Sequence, residues 1–556
     1  MRFVDWGAAA TRSGRWGRLG LLLGVCFLAF FVNLGAQELG LMEARNFVAA
    51  REIHEGGSWL LPTMNGQLRL AKPPLPTWLV AAVMQLTGNT TDLGVLRLPS
   101  ALGATLLVLG FWRLAARLVA DARTAWLAAL VLATSLLMMT VGRDGNGWDV
   151  YCYTFMVWAL LLLVRGWQSE ERAYGWFAGA GALIGLSMLS KGPVAPYGML
   201  LPFLVAWAWQ GGVPALRQHG REALLAATVA LLVGGTWPLY VLSQHLPDAL
   251  AVAQIESSSW AGRHVKPFWF YLPFPVFTGL WAWCAVLTLV WPFARPRLQS
   301  YVPYLLVLGW ALATVLVLSV VPEKKERYLL PVLPPMALLV AGLLRHWLAA
   351  SLGRPDQRLV RTWGALLMLF GLSIPLALGF AELPGYTTGS GWFAAVAFWF
   401  ASIGLCALVG GVWRARPLPL VAGSLAATVG FTVLLMGAYP HWQHRRDEPG
   451  LRSQAALVAA HPRVLQVPVF SLGGEMHIKW IWMAGRRVPA WQPGADSTLP
   501  ARQLPLMFYS GFRPQPAHFG GTWRPGLQMT VLDSFNLGSR HQDGQWYLSE
   551  LATVPD

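Results

Sequence analysis

Charge is scarce in this chain. Only 12% of its 556 residues are Asp, Glu, Lys or Arg, and 55% are hydrophobic; an ordinary soluble domain carries about twice that share of charge. A disordered chain and a soluble multidomain enzyme are both excluded. Cysteine is scarcer still. Cys26, Cys152, Cys284 and Cys406 all fall in apolar stretches without metal-ligand spacing, so neither a disulfide scaffold nor a cysteine-held metal is expected. Lysine occurs only six times. There is no internal repeat, no low-complexity tract and no sign of the paired halves of an inverted-repeat transporter. What the chain has in quantity is apolar segments of spanning length, together with 30 Trp, 25 Phe and 13 Tyr. It reads as a polytopic membrane protein. A net charge of +16 suggests nucleic acid in a soluble protein. Here the basic residues sit mostly between apolar segments, so membrane orientation explains them and no nucleic-acid partner is expected.

A spanning helix needs about 20 mostly apolar residues. Thirteen segments qualify: 19–36, 94–116, 124–141, 147–164, 174–190, 194–209, 222–243, 268–293, 302–321, 328–347, 362–381, 391–412 and 418–438. Segment 73–87 is short and opens with Pro-Pro, which predicts a helix lying along the membrane surface. With the N-terminus in the cytoplasm, the inside segments hold Arg2, Arg12, Arg15 and Arg18; Arg113, Arg117 and Arg123; Arg165 and Arg172; Arg217 and Arg221; Arg295 and Arg297; Arg345, Arg354, Arg358 and Arg361; Arg414 and Arg416. A span at 73–87 would invert every later loop, so thirteen helices is the preferred count. The first apolar segment follows a basic stretch, but its flank NLGAQE is a poor cleavage site, and it reads as a retained signal anchor.

The opposite face breaks the charge bias. All six lysines (Lys72, Lys191, Lys266, Lys324, Lys325 and Lys479) fall there, with Glu38, Glu43, Glu52, Glu55, Asp144, Asp149, Glu256, Glu323 and Glu326. Any one of these reads equally well as a solvated loop end. The whole set points to a functional outer face. Residues 440–556 lose the long apolar runs. HPRVLQVPVFSL, RRVPAW, PLMFYSGF and LQMTVLDSF read as short strands between Pro/Gly turns. An odd span count puts this small α/β or mostly β domain outside, next to a transmembrane domain of 1–439.

The first outer loop, 37–93, is the longest between spans. From Glu43 to Glu55 it predicts a surface helix with Phe47, Ala50 and Ile53 as its apolar stripe, and with Glu43, Arg45, Arg51 and Glu52 at the water boundary. Further on, Lys72-Pro73-Pro74 pins an ammonium on a fixed backbone, a plausible phosphate ligand. Asp149 opens the fourth span. It either complements the helix dipole or, being ionisable at depth, serves function. The loops at 190–194, 256–271 and 322–331 add Lys191, Arg263, His264, Lys266, Lys324, Lys325 and Arg327. Several cations and a carboxylate at one interface suit a lipid-phosphate leaving group.

Taken in order, EARNFVAAREI (43–53), SWLLP (58–62), AKPPLPTW (71–78), RLPSALGATLL (97–107), Asp149, SKGPV (190–194), HVKPFWFYLP (264–273) and KKERYLLPVLPP (324–335) resemble the bacterial membrane glycosyltransferases of GT-C fold. These lie in the superfamily of protein O-mannosyltransferases and aminoarabinose lipid A transferases. The resemblance implies an all-α polytopic GT-C domain, and transfer of a sugar from a polyprenyl-phosphate carrier to a lipid, glycan or protein acceptor on the periplasmic side of the inner membrane. It implies catalytic carboxylates at Glu43 and Asp149, and donor-phosphate contacts from Lys72, Lys191, Arg263, Lys324 and Arg327. Arg45, His264 and Tyr328 would line the pocket. Two departures stand out. Met42 occupies the first position of a usual Asp-Glu pair, and Ala71 stands where Glu is frequent. Both remove carboxylates that would hold a divalent metal, so metal dependence is left open. The rival readings are a flippase or transporter of a lipid-linked substrate, and a catalytically degenerate lipid-binding subunit.

Overall fold

The computed structural model describes residues 12–169, 172–262, 264–349, 351–380, 389–439, 459–491, 504–523, 526–536 and 545–553. The chain is mostly helical. In order run α1 (Arg12–Phe30), α2 (Leu41–His54), α3 (Leu75–Thr87), α4 (Leu93–Leu118), α5 (Ala122–Ala133), α6 (Leu136–Gly142), α7 (Trp148–Trp167), α8 (Tyr174–Lys191), α9 (Leu201–Trp207), α10 (Val213–Gln218), α11 (Gly220–Gln244) and α12 (Leu246–Gly262). Then follow α13 (Ala282–Leu289), α14 (Trp291–Leu298), α15 (Tyr304–Val320), α16 (Leu333–Ala349), α17 (Arg354–Phe380), α18 (Gly391–Cys406), α19 (Pro417–Gly430) and α20 (Ile478–Met483).

Among the described residues, eight helices are long and apolar enough to span a bilayer, or nine if the bent pair α5–α6, with its 62° break, counts as one. Thirteen segments were expected. The shortfall lies in real features of the chain. α1 carries Arg12, Arg15 and Arg18 within its length. α15 is only 17 residues long, and the segment around α9 is broken by π turns at Pro196–Leu200 and Ala208–Gly212. α3, which is not among the thirteen, has 13 residues, about 20 Å of helix, too short to cross about 30 Å of hydrocarbon.

Two compact units form: Met1–Ala36, Leu70–Leu79 and Arg97–Ala438 in the first, and Gln37–Arg69, Val80–Leu96 and Tyr439–Asp556 in the second. The first unit is helix on helix. Its closest packing joins α8 to α11. A Cβ added at Gly185 would meet Val233 Cβ at 2.5 Å, one at Gly181 would strike the Ala226 carbonyl, and one at Gly234 would lie 3.0 Å from Met188 Cβ. Gly181 on α8 faces Ala226 on α11, and Gly185 faces Gly234; with the buried Ala230, small residues recur at four-residue spacing on both helices. The end of α1 is held by two buried arginines. Arg97 donates to Leu34 O at 3.0 Å, and Arg143 donates to Ala29 O at 3.1 Å and Asn33 O at 2.8 Å. These are carbonyls at and just beyond the helix end, which the helix itself cannot pair.

The second unit contains a mixed four-stranded sheet, ordered β3 (Val469–Leu472), β4 (Leu506–Ser510), β6 (Gln545–Thr553), β5 (Leu527–Asn536). β3 and β4 are parallel, and the chain between them includes α20; the other pairs are antiparallel. Leu472, Trp491, Leu506, Phe508, Phe519 and Leu551 form its core. Of the expected strands, RRVPAW supplies only a single bridge, Ser471 to Ala490.

The α8–α11 seam generates a stability prediction. Gly185→Leu should destabilise the protein by about 1–3 kcal/mol through overpacking, read as a lower melting temperature in detergent. Gly175→Ala, at a position on α8 with nothing within 4 Å, should leave that temperature unchanged or raise it.

Candidate functional site

Asp149 is the second residue of α7 and is 2% exposed. Gly147 starts the helix with φ 67°, a left-handed conformation that glycine takes without strain, and a side chain there would collide with the Tyr151 ring. That tight turn carries Asp149 inward. Lys191, the last residue of α8, hydrogen-bonds Asp149 Oδ1 with its ammonium, and Arg327 Nε lies 3.7 Å from Oδ2. The carboxylate sits in the first turn of one helix and the ammonium in the last turn of another, so both helix dipoles favour the pair. Lys191 Nζ also stands 4.5 Å from the Tyr328 ring centroid, a cation–π contact. The structure therefore brings together Asp149, Lys191, Arg327 and Tyr328 from three separate parts of the sequence. One turn along α7, the fully buried hydroxyl of Tyr153 has no hydrogen-bond partner. Sequence reasoning passed over Tyr153 as one aromatic among many.

Arg327 and Tyr328 belong to a 3-10 stretch, Glu326–Val332, and the loop before it is stapled to the loop at 264–271. Val265 bridges Glu323, Lys324 N donates to His264 O at 3.2 Å, and Lys266 N donates to Pro322 O at 3.3 Å. The Lys324 ammonium is 3% exposed as a residue and donates to Val321 O at 2.6 Å and Lys266 O at 3.2 Å. Burial lowers its pKa. The Tyr271 hydroxyl bridges the Lys325 backbone, donating to its carbonyl and accepting from its N–H, both at 3.2 Å. Glu323 takes the Lys325 ammonium at 2.7 Å and the Tyr328 hydroxyl at 3.4 Å. His264 is exposed, with φ 53°. Arg263 lies outside the described residues. In the same unit, Lys72 pairs with Glu256 on α12 at 3.5 Å, both half-buried.

Glu43 belongs to the second unit. It is 4% exposed and accepts the Gly40 N–H at 2.7 Å, the N3 half of a capping box. Arg45 is half-buried, with Nη1 3.9 Å from Met42 Sδ. Arg51 and Glu52, expected at the water boundary, are instead 4% and 0% exposed. Arg51 donates to Trp482 O at 3.0 Å, Ile481 O at 3.2 Å and Arg486 O at 3.2 Å; the first two are last-turn carbonyls of α20. Burial lowers its pKa, partly offset by Glu55 and Glu52. Glu52 accepts from Thr63 Oγ1 at 2.5 Å and Gly66 N at 3.2 Å, and pairs with Arg487 at 3.3 Å. Thr63–Met64 and Gln67–Leu68 form a hairpin, β1–β2, whose Asn65-Gly66 turn has φ 57° and 80°, the type I′ geometry such a loop favours. Asn65 pairs with Val488 through both its amide atoms, at 2.9 and 2.7 Å. The first outer loop is thus fastened to the C-terminal segment by polar contacts that no local pattern announces.

Among the described residues, no group of three or more His, Cys, Asp or Glu lies together as a metal cluster. The family model for dolichyl-phosphate-mannose-protein mannosyltransferases matches residues 71–237, a stretch that contains Lys72, Asp149 and Lys191. The chain is 30% identical over 394 residues to an undecaprenyl phosphate-α-4-amino-4-deoxy-L-arabinose arabinosyl transferase 2 of Pseudomonas fluorescens, across 67% of this chain and 66% of that protein. It therefore spans just under two thirds of that relative. To the corresponding transferase of Edwardsiella ictaluri it is 27% identical, across 75% of each chain. Its fold matches the crystal structure of ArnT from Cupriavidus metallidurans bound to undecaprenyl phosphate, with TM-score 0.69, 18% identity, and coverage of 96% of this chain and 98% of that one. The chain therefore has the GT-C fold of these membrane glycosyltransferases. With eight or nine apolar spans among its described residues, it is a multi-pass membrane protein.

The Arg51 clasp can be tested directly. Arg51→Met strands three buried carbonyls and should cost about 3 kcal/mol, read as faster proteolysis of the C-terminal segment in the folded protein. Arg51→Lys, a point donor without the planar fork, should recover only part of that loss.

Proposed function

We propose that this protein transfers a sugar from a polyprenyl-phosphate carrier to an acceptor on the periplasmic face of the bacterial inner membrane. The observation that carries the reading is the buried Asp149 held between Lys191 and Arg327, with Lys191 against the Tyr328 ring; Asp149 and Lys191 fall inside the stretch that the mannosyltransferase family model matches. The donor class follows the relatives: an undecaprenyl-phosphate-linked aminopentose. Lipid A, an envelope glycan or a protein is the acceptor. Thirteen spans, a cytoplasmic N-terminus, a transmembrane domain of 1–439 and a periplasmic domain of 440–556 complete the proposal.

In the reaction, an acceptor oxygen forms a bond to the anomeric carbon while the bond to the carrier phosphate breaks, and polyprenyl phosphate leaves. Lys72, Lys191, Arg263 and Arg327 stabilise the leaving charge. Lys324, whose ammonium is occupied by two carbonyls, holds the two loops in register and acts on the phosphate through them. Asp149 is already ion-paired, so it orients Lys191 and Arg327. Glu43 activates or positions the acceptor. A phosphate acceptor, being ionised, needs positioning more than deprotonation, which fits a site with Met42 where a second carboxylate is usual. Arg45, His264 and Tyr328 line the pocket.

The test is the mass of envelope lipids and glycans in a strain lacking the protein, complemented separately with wild type, Glu43→Gln, Lys72→Ala and Asp149→Asn. Wild type should restore a sugar increment that the deletion loses, and each variant should transfer about a hundredfold less or worse. Full complementation by all three variants would remove the site. No change in any lipid or glycan in the deletion would remove the activity.

A further inference from the structure

Away from the site above, Arg172, Tyr174, Arg217, His219, Arg221 and Glu222 line an open cleft of about 540 Å³ where α8 and α11 begin. Arg172, Arg217 and Arg221 are exposed, while His219 and Glu222 are buried at 4% and 7%. Glu222 is the one carboxylate lining the cleft among the described residues; Glu170 and Glu171, beside Arg172 in the chain, lie outside them. The buried His219 Nδ1 makes no hydrogen bond, its nearest partner being Glu222 Oε1 at 3.7 Å, and its ring is held by stacking on Phe177 at 5.7 Å. His219 is also the N-cap of α11 and provides no side-chain cap. The first N–H groups of this 25-residue helix therefore add their positive end to the three guanidinium groups.

Orientation in the membrane explains arginines on loops. It does not explain their convergence on a concave site with an uncapped helix start and a buried imidazole. Just beyond, on the same two helices, Trp176 is 41% and Leu224 is 68% exposed, the apolar surface expected at hydrocarbon depth. A charged cleft at the start of helices whose next residues include exposed apolar side chains matches a molecule with an anionic head and an acyl tail.

We infer that this cleft binds the phosphate headgroup of an anionic phospholipid, with its acyl chains along α8 and α11, on the face that the arginine pattern assigns to the cytoplasm. The full-length chain in dodecyl maltoside would be titrated with dioleoyl-phosphatidylglycerol, dioleoyl-phosphatidylcholine or sodium phosphate, and adducts read by native mass spectrometry. Wild type should hold phosphatidylglycerol and not phosphatidylcholine. The variant Arg172→Gln, Arg217→Gln, Arg221→Gln should bind it about a hundredfold more weakly, about fivefold per arginine. A control, Arg354→Gln, Arg358→Gln, Arg361→Gln, removes the same charge from exposed positions elsewhere and should bind as wild type does. Equal binding by the two triple variants overturns the inference. Displacement of the lipid by sodium phosphate at equal concentration also overturns it, in favour of a soluble phosphate ligand. Should the first variant fail to fold, Arg217→Glu alone should weaken binding about fivefold or more at an unchanged melting temperature, and wild-type affinity there overturns the inference as well.

Discussion

Burying Asp149 sets the terms for the first unit. An ionised carboxylate that is 2% exposed inside a membrane protein costs several kcal/mol unless cations and hydrogen bonds answer it. The answer comes from two elements far apart in sequence. α8 ends at Lys191, and the 3-10 stretch at Glu326–Val332 delivers Arg327 and Tyr328. Since the pair joins the start of α7 to the end of α8, their registers are coupled. The small-residue seam between α8 and α11 then fixes a third helix to the same frame.

Charge balance around Asp149 bears on its use. One carboxylate faces two cations, Lys191 and Arg327, so the three together keep a positive charge. Glu323 and Lys325 cancel each other. Under the proposed function, a leaving phosphate entering beside this cluster would meet preorganised positive charge in a partly desolvated place, where such charge acts most strongly. The same pairing keeps Asp149 from serving simply as a free base, which is why the proposal gives it the work of orientation.

Much of the helical frame was legible because apolar length is a local property. Each of the thirteen expected segments is helical over most of its length, although only eight or nine meet the length and hydropathy of a span. Several cations and a carboxylate at one interface were legible, through Asp149 opening a helix, Lys191 closing one and the KKERY loop, but their specific pairing was not, since contacts between residues 149, 191 and 327 leave no periodic trace. Lys324 shows the limit in the other direction. By composition it matched Lys191, yet its ammonium is spent on Val321 and Lys266 carbonyls. Asn65-Gly66 is a local hairpin signal, and the β1–β2 hairpin forms there. β6 hid because QWYLSELAT lacks clean alternation, and it pairs on both edges, with β4 and β5.

The arginines follow two different rules. Those assigned to the cytoplasmic loops are numerous and sit between spans, as orientation requires. Arg97, Arg143 and Arg51 do not belong to that set. They are 1%, 3% and 4% exposed, and each directs its fork at backbone carbonyls at or near a helix end: the end of α1 for the first two, the end of α20 for the third. A planar guanidinium with several fixed donors can satisfy two or three such orphans at once, which an ammonium does less well. An arginine next to a predicted helix end on the face that should be poor in positive charge is thus better read as a cap than as a phosphate ligand. Lys191 and Arg327, which face Asp149, and Lys72, which faces Glu256, are the cations that the proposed function assigns to an incoming anion.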